Sequence, residues 1–239
     1  MNDCTHEIIP GLKRVWMPYD SYVASNGDFL LWEWTTAAGL AIAVETKGPF
    51  VHASGVIKIN QRPFQAAYQE GLNGYLSPLS AEVRRHSGKI SVFRPFDPDT
   101  FSQGKKRPFG PDVCDRVAFE YANSLGGDYE WTNIALIFAQ RSMLLRLVGT
   151  VIPPLRRRWE QELARTNRKR TSSICSQNVA RGWLKGADLE LVEGKPLPLV
   201  TPNDLGTSCR EAYLGTLTWP AKWGGANGSQ QTLPEAKAA

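Results

Sequence analysis

Cys175 has the sequence context that best suits nucleophilic chemistry in this chain. It lies in the segment TSSICSQNVARGW, where a loop is predicted to become a helix. The thiolate is the reactive form of cysteine. Unpaired N–H groups and partial positive charge at a helix N-terminus stabilise a thiolate and a developing oxyanion alike. We therefore predict Cys175 as a nucleophile; the alternative is a small buried apolar residue, the commoner role of cysteine.

Three histidines are available as a base for this thiol. His6 lies near the N-terminus and His86 lies in the charged stretch RRHSGK, whereas His52 opens the apolar run of PFVHASGVIKI. A base must be held rigidly beside its nucleophile, and a strand within a sheet does this well. We predict His52 as the base, with a purely structural histidine as the alternative.

Gln65 is the candidate residue for orienting the imidazole of His52. It lies in RPFQAAYQEG, one turn and one strand after His52, so neighbouring strands could place the two side chains together. The carbonyl oxygen of a glutamine can accept the imidazole N–H. Glu70, at the end of the same run, is one alternative, and a Gln65 without any role at the site is the other.

The elements that must position these residues are predicted to be strands in the first hundred residues. Turn signals there separate short runs rich in Ile, Val, Ala and aromatic residues. The predicted strands cover 29–34, 39–45, 52–59, 64–68 and 89–93. This pattern predicts an antiparallel sheet, followed by a loop over 97–111.

The second half of the chain is predicted to be helical. Apolar spacing predicts helices over 112–125, 131–151 and 155–165, and a further helix over 172–184 begins with Ser and Thr, which favour an N-cap. Residues 216–239, rich in Gly, Ala, Ser and Gln, predict a flexible tail. The expected organisation is a single α+β domain over 1–215.

These fragments, taken in order, resemble the circularly permuted NlpC-like papain-fold family, which is related to lecithin retinol acyltransferase-like proteins. The matching segments are GDFLLW, FVHASGVIKI, RPFQAAYQEGLNGYLSPL, ISVFRP, GDYEW, SSICSQNVARGW and a closing PNDL, which together span 27–205. In unpermuted relatives the Tyr and Cys elements come first and the His strand second. The order is reversed here.

The resemblance implies a papain-like α+β fold, in which an antiparallel sheet or barrel packs against helices with the nucleophile at a helix N-terminus. It implies a Cys175–His52–Gln65 triad, with Tyr129 and Ser176 binding substrate or oxyanion. The chain departs from the family twice. The usual acidic third residue is Gln here, and the stretch at about 132–171 is long, basic and apolar, which predicts an insertion that caps or flanks the cleft.

Composition limits the other classes of function. The 28 Lys and Arg residues against 23 Asp and Glu give a net charge of +5, with much of the excess in 156–170. That stretch is typical of a solvated helix face, so no nucleic-acid partner is expected. The scattered cysteines and histidines have no ligand spacing, so neither a metal nor a cofactor is expected. The apolar run 134–155 contains two arginines, which predicts a buried or interfacial helix without a transmembrane span.

The resemblance implies a cysteine hydrolase that cleaves peptide or amide bonds of bacterial peptidoglycan. The first residues, MNDCTHEIIPGLKR, predict no signal peptide. The protein is therefore expected in the cytoplasm of synthesis, with carriage in a phage particle or export by a dedicated machine as its routes to the wall. Two alternatives stay open. One is a lipid acyltransferase or thioesterase that contacts a membrane surface, and the other is a non-catalytic virion, assembly or binding module.

Overall fold

The computed structural model describes residues 7–69, 73–102, 104–126 and 175–219. Several sequence predictions fall outside these ranges and stay predictions: Tyr129, Glu70, His6, the helices at 131–151 and 155–165, the insertion at 132–171, and the part of the tail beyond residue 219.

The described residues form an α+β fold around a central sheet. The strands are β1 (Glu7–Ile9), β2 (Leu12–Lys13), β3 (Trp16–Pro18), β4 (Phe29–Glu33), β5 (Phe50–Ile59), β6 (Arg62–Gln69), β7 (Asn73–Pro78), β8 (Ile90–Phe93) and β9 (Tyr213–Thr218). Strands β1 and β2 form a separate antiparallel ribbon, and the other seven form one sheet in the order β3-β9-β8-β4-β5-β6-β7. The predicted α+β class is confirmed.

The sheet differs from the sequence prediction in two ways. It is mixed, because β3 pairs with β9 in parallel while the other neighbours are antiparallel. It is also open within the described part of the chain, with β3 and β7 at its two edges, so it does not form a barrel. Strand β9 runs to Thr218, so the folded part extends past the predicted boundary at residue 215.

Six helices accompany the sheet in the described ranges. They are α1 (Ala37–Thr46), α2 (Leu79–Arg85), α3 (Pro98–Ser102), α4 (Pro111–Asn123), α5 (Cys175–Ala187) and α6 (Pro202–Ser208). The helices predicted at 112–125 and 172–184 are confirmed as α4 and α5. The short α3 lies inside the predicted loop, and α2 and α6 were not predicted.

The predicted strand at 39–45 is wrong, because this segment forms α1. The Thr36 side chain accepts a hydrogen bond from the Gly39 N–H at 3.1 Å and so caps the helix. Lys47, in the left-handed conformation at φ 56°, ends it. A short apolar run cannot be assigned by its periodicity alone, and the high helix propensity of its alanines decides the outcome here.

The sheet is buried on both faces. Helices α4, α5 and α6 cover one face, where Leu31 and Ala53 belong to a core with Val179 and Trp183. On the other face, Leu30 and Val56 pack with residues of α2 and β8. Since neighbouring strand residues point to opposite faces, the unbroken apolar run of β4 supplies both cores.

Helix α5 approaches the sheet closely because glycines face each other across the Tyr121 ring. A Cβ added at Gly55 on β5 or at Gly182 on α5 would lie 2.3 Å from Tyr121 ring atoms. No other residue type fits at either position without displacing the ring. This packing fixes the distance between β5 and α5.

A buried ion pair fastens the turn before β4. The Asp28 carboxylate, 1% exposed, accepts hydrogen bonds from Arg94 Nε at 2.7 Å and from the Tyr22 hydroxyl at 2.6 Å. Burial raises the pKa of Tyr22 well above its ordinary value, with the Asp28 charge adding to the shift, so the hydroxyl stays a donor at neutral pH.

Arg94→Met is expected to lower the free energy of unfolding by about 3–5 kcal/mol, because it leaves the Asp28 carboxylate buried without its cation. The matched control is Lys106→Met, which breaks the exposed Lys106–Glu211 ion pair and should cost less than about 1 kcal/mol. Urea denaturation of both variants measures the difference. Equal losses would contradict a structural role for the buried pair.

Candidate active site

Cys175 is the first residue of α5 and points toward the sheet. Val179 and Trp183 follow it at intervals of four residues, so the three side chains share the buried face of the helix. The Cys175 side chain is buried, with the residue 7% exposed. The amphipathic pattern of α5 therefore places the predicted nucleophile at a helix N-terminus and against β5, as the sequence predicts for the helix start.

Several donors surround the Cys175 thiol. The backbone N–H groups of Ala53, Ser176 and Cys175 itself each lower its pKa, and a contact with the Ser176 side chain, whose hydroxyl proton goes to the Val200 carbonyl, lowers it too. Burial raises the pKa by more, so the thiol titrates above its ordinary value and is protonated at neutral pH. Donors of this kind stabilise negative charge that develops on the sulfur or on an adjacent oxygen.

The thiol lies where two strands of the sheet separate. Strands β5 and β6 pair from Ile59↔Arg62 to Ser54↔Ala67 and no further. Beyond that point β5 pairs only with β4, and β6 only with β7. The backbone of β5 at Ala53 therefore has no neighbouring strand on its β6 side, and Cys175 contacts it there.

His52 lies next to this contact in sequence, and its side chain is on the face of the sheet that Trp32, its partner on β4, also occupies. Its partly buried ring packs edge-on against Trp32 with the ring centroids 6.1 Å apart, and Trp32 also contacts His86 at 4.8 Å. Burial lowers the pKa of His52 to about 4, and the nearby His86 contributes to the shift. His52 is therefore a neutral imidazole at pH 7.

Gln65 occupies a buried polar network on the same face as His52. Its Oε1 accepts from the Ser54 hydroxyl at 3.2 Å, and Ser54 Oγ accepts from Trp32 Nε1 at 3.0 Å. Its Nε2 donates to Ser77 Oγ at 3.0 Å. Gln65 pairs across the ladder with Val56, four residues beyond His52. Its amide is committed to this network, and among the described residues no hydrogen bond joins it to His52.

The structure thus brings together some of the predicted site residues and not others. Cys175 contacts the backbone of β5 at Ala53, beside His52, whereas the hydroxyl of Ser176 bonds the Val200 carbonyl. The His52 ring makes no hydrogen bond to Cys175 or to Gln65 within the described ranges, and it packs against Trp32, which is part of the Gln65 network. Sequence reasoning missed Trp32 and the Ala53 N–H, because a backbone amide and a core tryptophan have no distinctive motif.

Residues 200–203, for which the sequence predicted no role, fix the two elements that carry Cys175 and His52. Asn203 Oδ1 accepts the Phe50 N–H at 2.9 Å, and its Nδ2 donates to the Phe50 carbonyl at 2.8 Å and to Thr46 Oγ1 at 2.6 Å. The Ser176 hydroxyl donates to the Val200 carbonyl at 2.7 Å. Residues 200–203 therefore connect the start of α5 to the start of β5. The segment PNDL was the sequence signal for these residues, although no role was predicted for it.

Two clefts in the described chain lie away from Cys175. One, of about 510 Å³, runs between α5 and the segment from Glu190 to Val200. The other, of about 600 Å³, is lined by residues that include Asn26 and Phe109. Neither is lined by Cys175 or His52.

Neither a metal site nor a membrane-spanning helix is present in the described residues. No group of three or more His, Cys, Asp or Glu side chains there is arranged to hold a metal ion. No helix in the same ranges has the length and apolar character needed to cross a membrane.

Asn203→Ala is expected to destabilise the fold by about 2–4 kcal/mol, because it leaves the Phe50 N–H and carbonyl buried without partners. Asn26→Ala is the matched control, since Asn26 bonds one backbone N–H, that of Lys58, at a site that is only partly buried. It should cost about 1 kcal/mol. Thermal and urea unfolding give both values, and similar losses would argue against a special role for Asn203.

His52→Gln is expected to flatten the pH dependence of stability. The pKa of His52 is about 4 in the folded protein against 6.5 ordinarily, so the unfolded chain binds the extra proton between these values. The stabilisation is complete above pH ~6.5 and is lost as the pH falls toward ~4, by about 2 kcal/mol at pH 4.5. Urea titrations of wild type and variant from pH 7.5 to 4.5 test this, and parallel curves would show that His52 does not titrate as described.

Comparison with known proteins reveals a distant structural likeness. No family model matches the chain, and no curated protein matches it. The chain is similar to the crystal structure of the metalloprotein YiiX from Escherichia coli O157:H7, with a TM-score of 0.47 and 14% sequence identity over 84% of this chain and 91% of that chain. Similarity at this level assigns neither a family nor an activity to this chain.

Proposed function

We propose that the protein is a cysteine hydrolase with a circularly permuted papain-like fold, and that it cleaves peptide or amide bonds of bacterial peptidoglycan. One observation carries the catalytic part of the proposal: three backbone N–H groups converge on the Cys175 sulfur at a helix N-terminus beside the His52 strand. The chain order, with the His strand before the Cys helix, agrees with a permuted architecture.

The first step is removal of the thiol proton. Both groups are uncharged at neutral pH, since the pKa of Cys175 is raised and that of His52 is lowered. His52 therefore acts as a general base during attack, instead of forming a resting thiolate–imidazolium pair. Proton transfer requires the His52 ring to reach the sulfur, so in this proposal the ring leaves its contact with Trp32 before the attack.

The later steps follow from the same groups. The sulfur attacks the carbonyl carbon while His52 takes the thiol proton, and the N–H donors near Cys175 stabilise the oxyanion. His52 then gives that proton to the leaving amine, which leaves a thioester on Cys175. Water, deprotonated by His52, attacks the thioester, and the released carboxylic acid leaves a free thiol. Gln65 acts indirectly, by holding Ser54 and Trp32 beside His52.

The choice of peptidoglycan as substrate rests on the sequence resemblance. That family includes enzymes that cut peptide stems of the wall, and the motif residues Cys175 and His52 occur here in the order of its permuted members. Delivery in a phage particle or by an export machine is part of the same proposal.

A lipid acyltransferase or thioesterase is the second candidate, and one feature favours it. Helix α1, which leads into the His52 strand, exposes Leu40 and Val44 to solvent. An apolar surface beside the site suits a substrate with an acyl chain.

A non-catalytic module is the third candidate. The raised pKa of the Cys175 thiol and the position of the His52 ring against Trp32 favour it. These two features describe a site that is unreactive unless the ring moves.

Cys175→Ala is expected to reduce the release of new amino groups from purified cell-wall sacculi by at least about 10³-fold, because it removes the nucleophile. His52→Ala should reduce it by about 10²-fold or more, through loss of the base. Cys114→Ala, at an equally buried free cysteine, is the matched control and should keep wild-type activity. A mass increase on Cys175 alone, trapped with an activated ester, would identify the thioester.

The same proteins incubated with phospholipid vesicles distinguish the candidates. Fatty-acid or acyl transfer that depends on Cys175, without wall cleavage, would replace the wall hydrolase by the lipid enzyme. Activity on neither substrate, with Cys175 alkylated no faster than Cys209, would leave the non-catalytic module.

A further inference from the structure

Helix α1 has an apolar outer face. Val44 is 69% exposed, Leu40 is 41% exposed, and Trp34, just before the helix, is 44% exposed. Ala37 is exposed as well. These four residues are here called the α1 face.

The α1 face is a continuous strip. Ala37, Leu40 and Val44 follow the three- and four-residue spacing that places side chains on one side of a helix. At the start of the helix, a Cβ added at Gly39 would lie 3.0 Å from Trp34 Cβ, so Trp34 adjoins the first turn. A ten-residue helix is about 15 Å long, and the strip runs along most of it.

The composition of α1 is unusual for a helix at a protein surface. Its sequence is AAGLAIAVET, with Glu45 as its one charged residue, and the buried Ala43 occupies the inner side. Helices at the surface of globular proteins normally carry polar residues on the outer face, and helices that are apolar all round are surrounded by apolar material. The outer face of α1 is therefore suited to an apolar environment.

Basic residues border the α1 face at both ends. Lys47 is exposed and lies three residues after Val44, at the C-terminal end of α1. At the other end, a Cβ at Gly88 would lie 2.5 Å from Thr35 Cγ2, so the loop that carries Lys89 adjoins Thr35, the residue after Trp34. The nearby Glu33 carboxylate is neutralised by Arg14 and Lys89.

We propose that the α1 face docks on an anionic lipid bilayer. Its apolar residues would enter the interface between headgroups and acyl chains, Trp34 would lie at headgroup level, and Lys47 and Lys89 would contact the lipid phosphates. A second copy of the chain fits less well. A two-fold dimer through this face would bring like-charged borders together. This proposal does not depend on catalysis by Cys175.

The test is co-sedimentation of the full chain with two kinds of vesicle. One contains phosphatidylcholine alone and has a neutral surface, and the other contains about 30% phosphatidylglycerol and has an anionic surface. We expect binding to the anionic vesicles. Val44→Asp should weaken this binding about tenfold, because it places a charge in the apolar strip. Phe119→Asp is the matched control, since Phe119 on α4 is 64% exposed, and it should bind as the wild type does.

Lys47→Ala should weaken binding severalfold at low salt and have little effect at high salt, since salt screens the lipid charge. Cys175→Ala should bind like wild type, so the result is independent of any catalytic role. The proposal is overturned if no vesicle binds, if Val44→Asp and Phe119→Asp behave alike, or if Val44→Asp instead abolishes a concentration-dependent dimer. Unchanged thermal unfolding of Val44→Asp shows that its loss of binding is not a loss of fold.

Discussion

The packing of Tyr121 between Gly55 and Gly182 is the constraint on which the candidate site depends. Because neither glycine has a side chain, α5 can lie close enough to β5 for Cys175 to contact the backbone at Ala53. Helix α5 also orders the turn before β4, since Trp183 Nε1 donates to the Gly27 carbonyl at 3.0 Å. The GD segment and the helix that begins with the CS segment, which are distant in sequence, thus meet at the Trp183 ring.

The site combines hydrogen-bond donors that stabilise negative charge with surroundings of low polarity. Burial keeps both Cys175 and His52 uncharged, while the N–H groups at the start of α5 are arranged for an anion. An environment of this kind disfavours charge at rest and stabilises charge that forms against fixed dipoles during a reaction. Residues 200–203 hold the start of α5 and the start of β5 in fixed relative positions. The geometry at the Cys175 sulfur therefore depends on a segment with no reactive group of its own.

Elements with a clear periodicity could be predicted from the sequence. The strand of His52 follows from an apolar run between turn signals, the helix of Cys175 follows from apolar spacing, and the resemblance that their order supports suggested the site. Helix α1 was wrongly predicted as a strand, since the periodicity of a short apolar run does not distinguish the two and the alanine content and the Thr36 cap were not weighed. The side of β5 on which His52 projects depends on the strand register, and the assignment of Gln65 to Ser54 and Ser77 depends on three strands at once. Such long-range pairings have no local signal in the sequence.

The position of β9 has a consequence for how the chain reaches this structure. The last strand of the described part lies inside the sheet, between β8 and β3, and Arg14 bonds Thr216 across 202 positions of sequence. Contacts between residues so far apart in sequence close large loops, and the entropy lost in closing them precedes the energy gained from the contacts, which slows folding. During synthesis, the pairing of β3 and β8 with β9 can form only after β9 has left the ribosome. The central sheet, against which the Cys175 helix packs, can therefore be completed only after β9 has been translated.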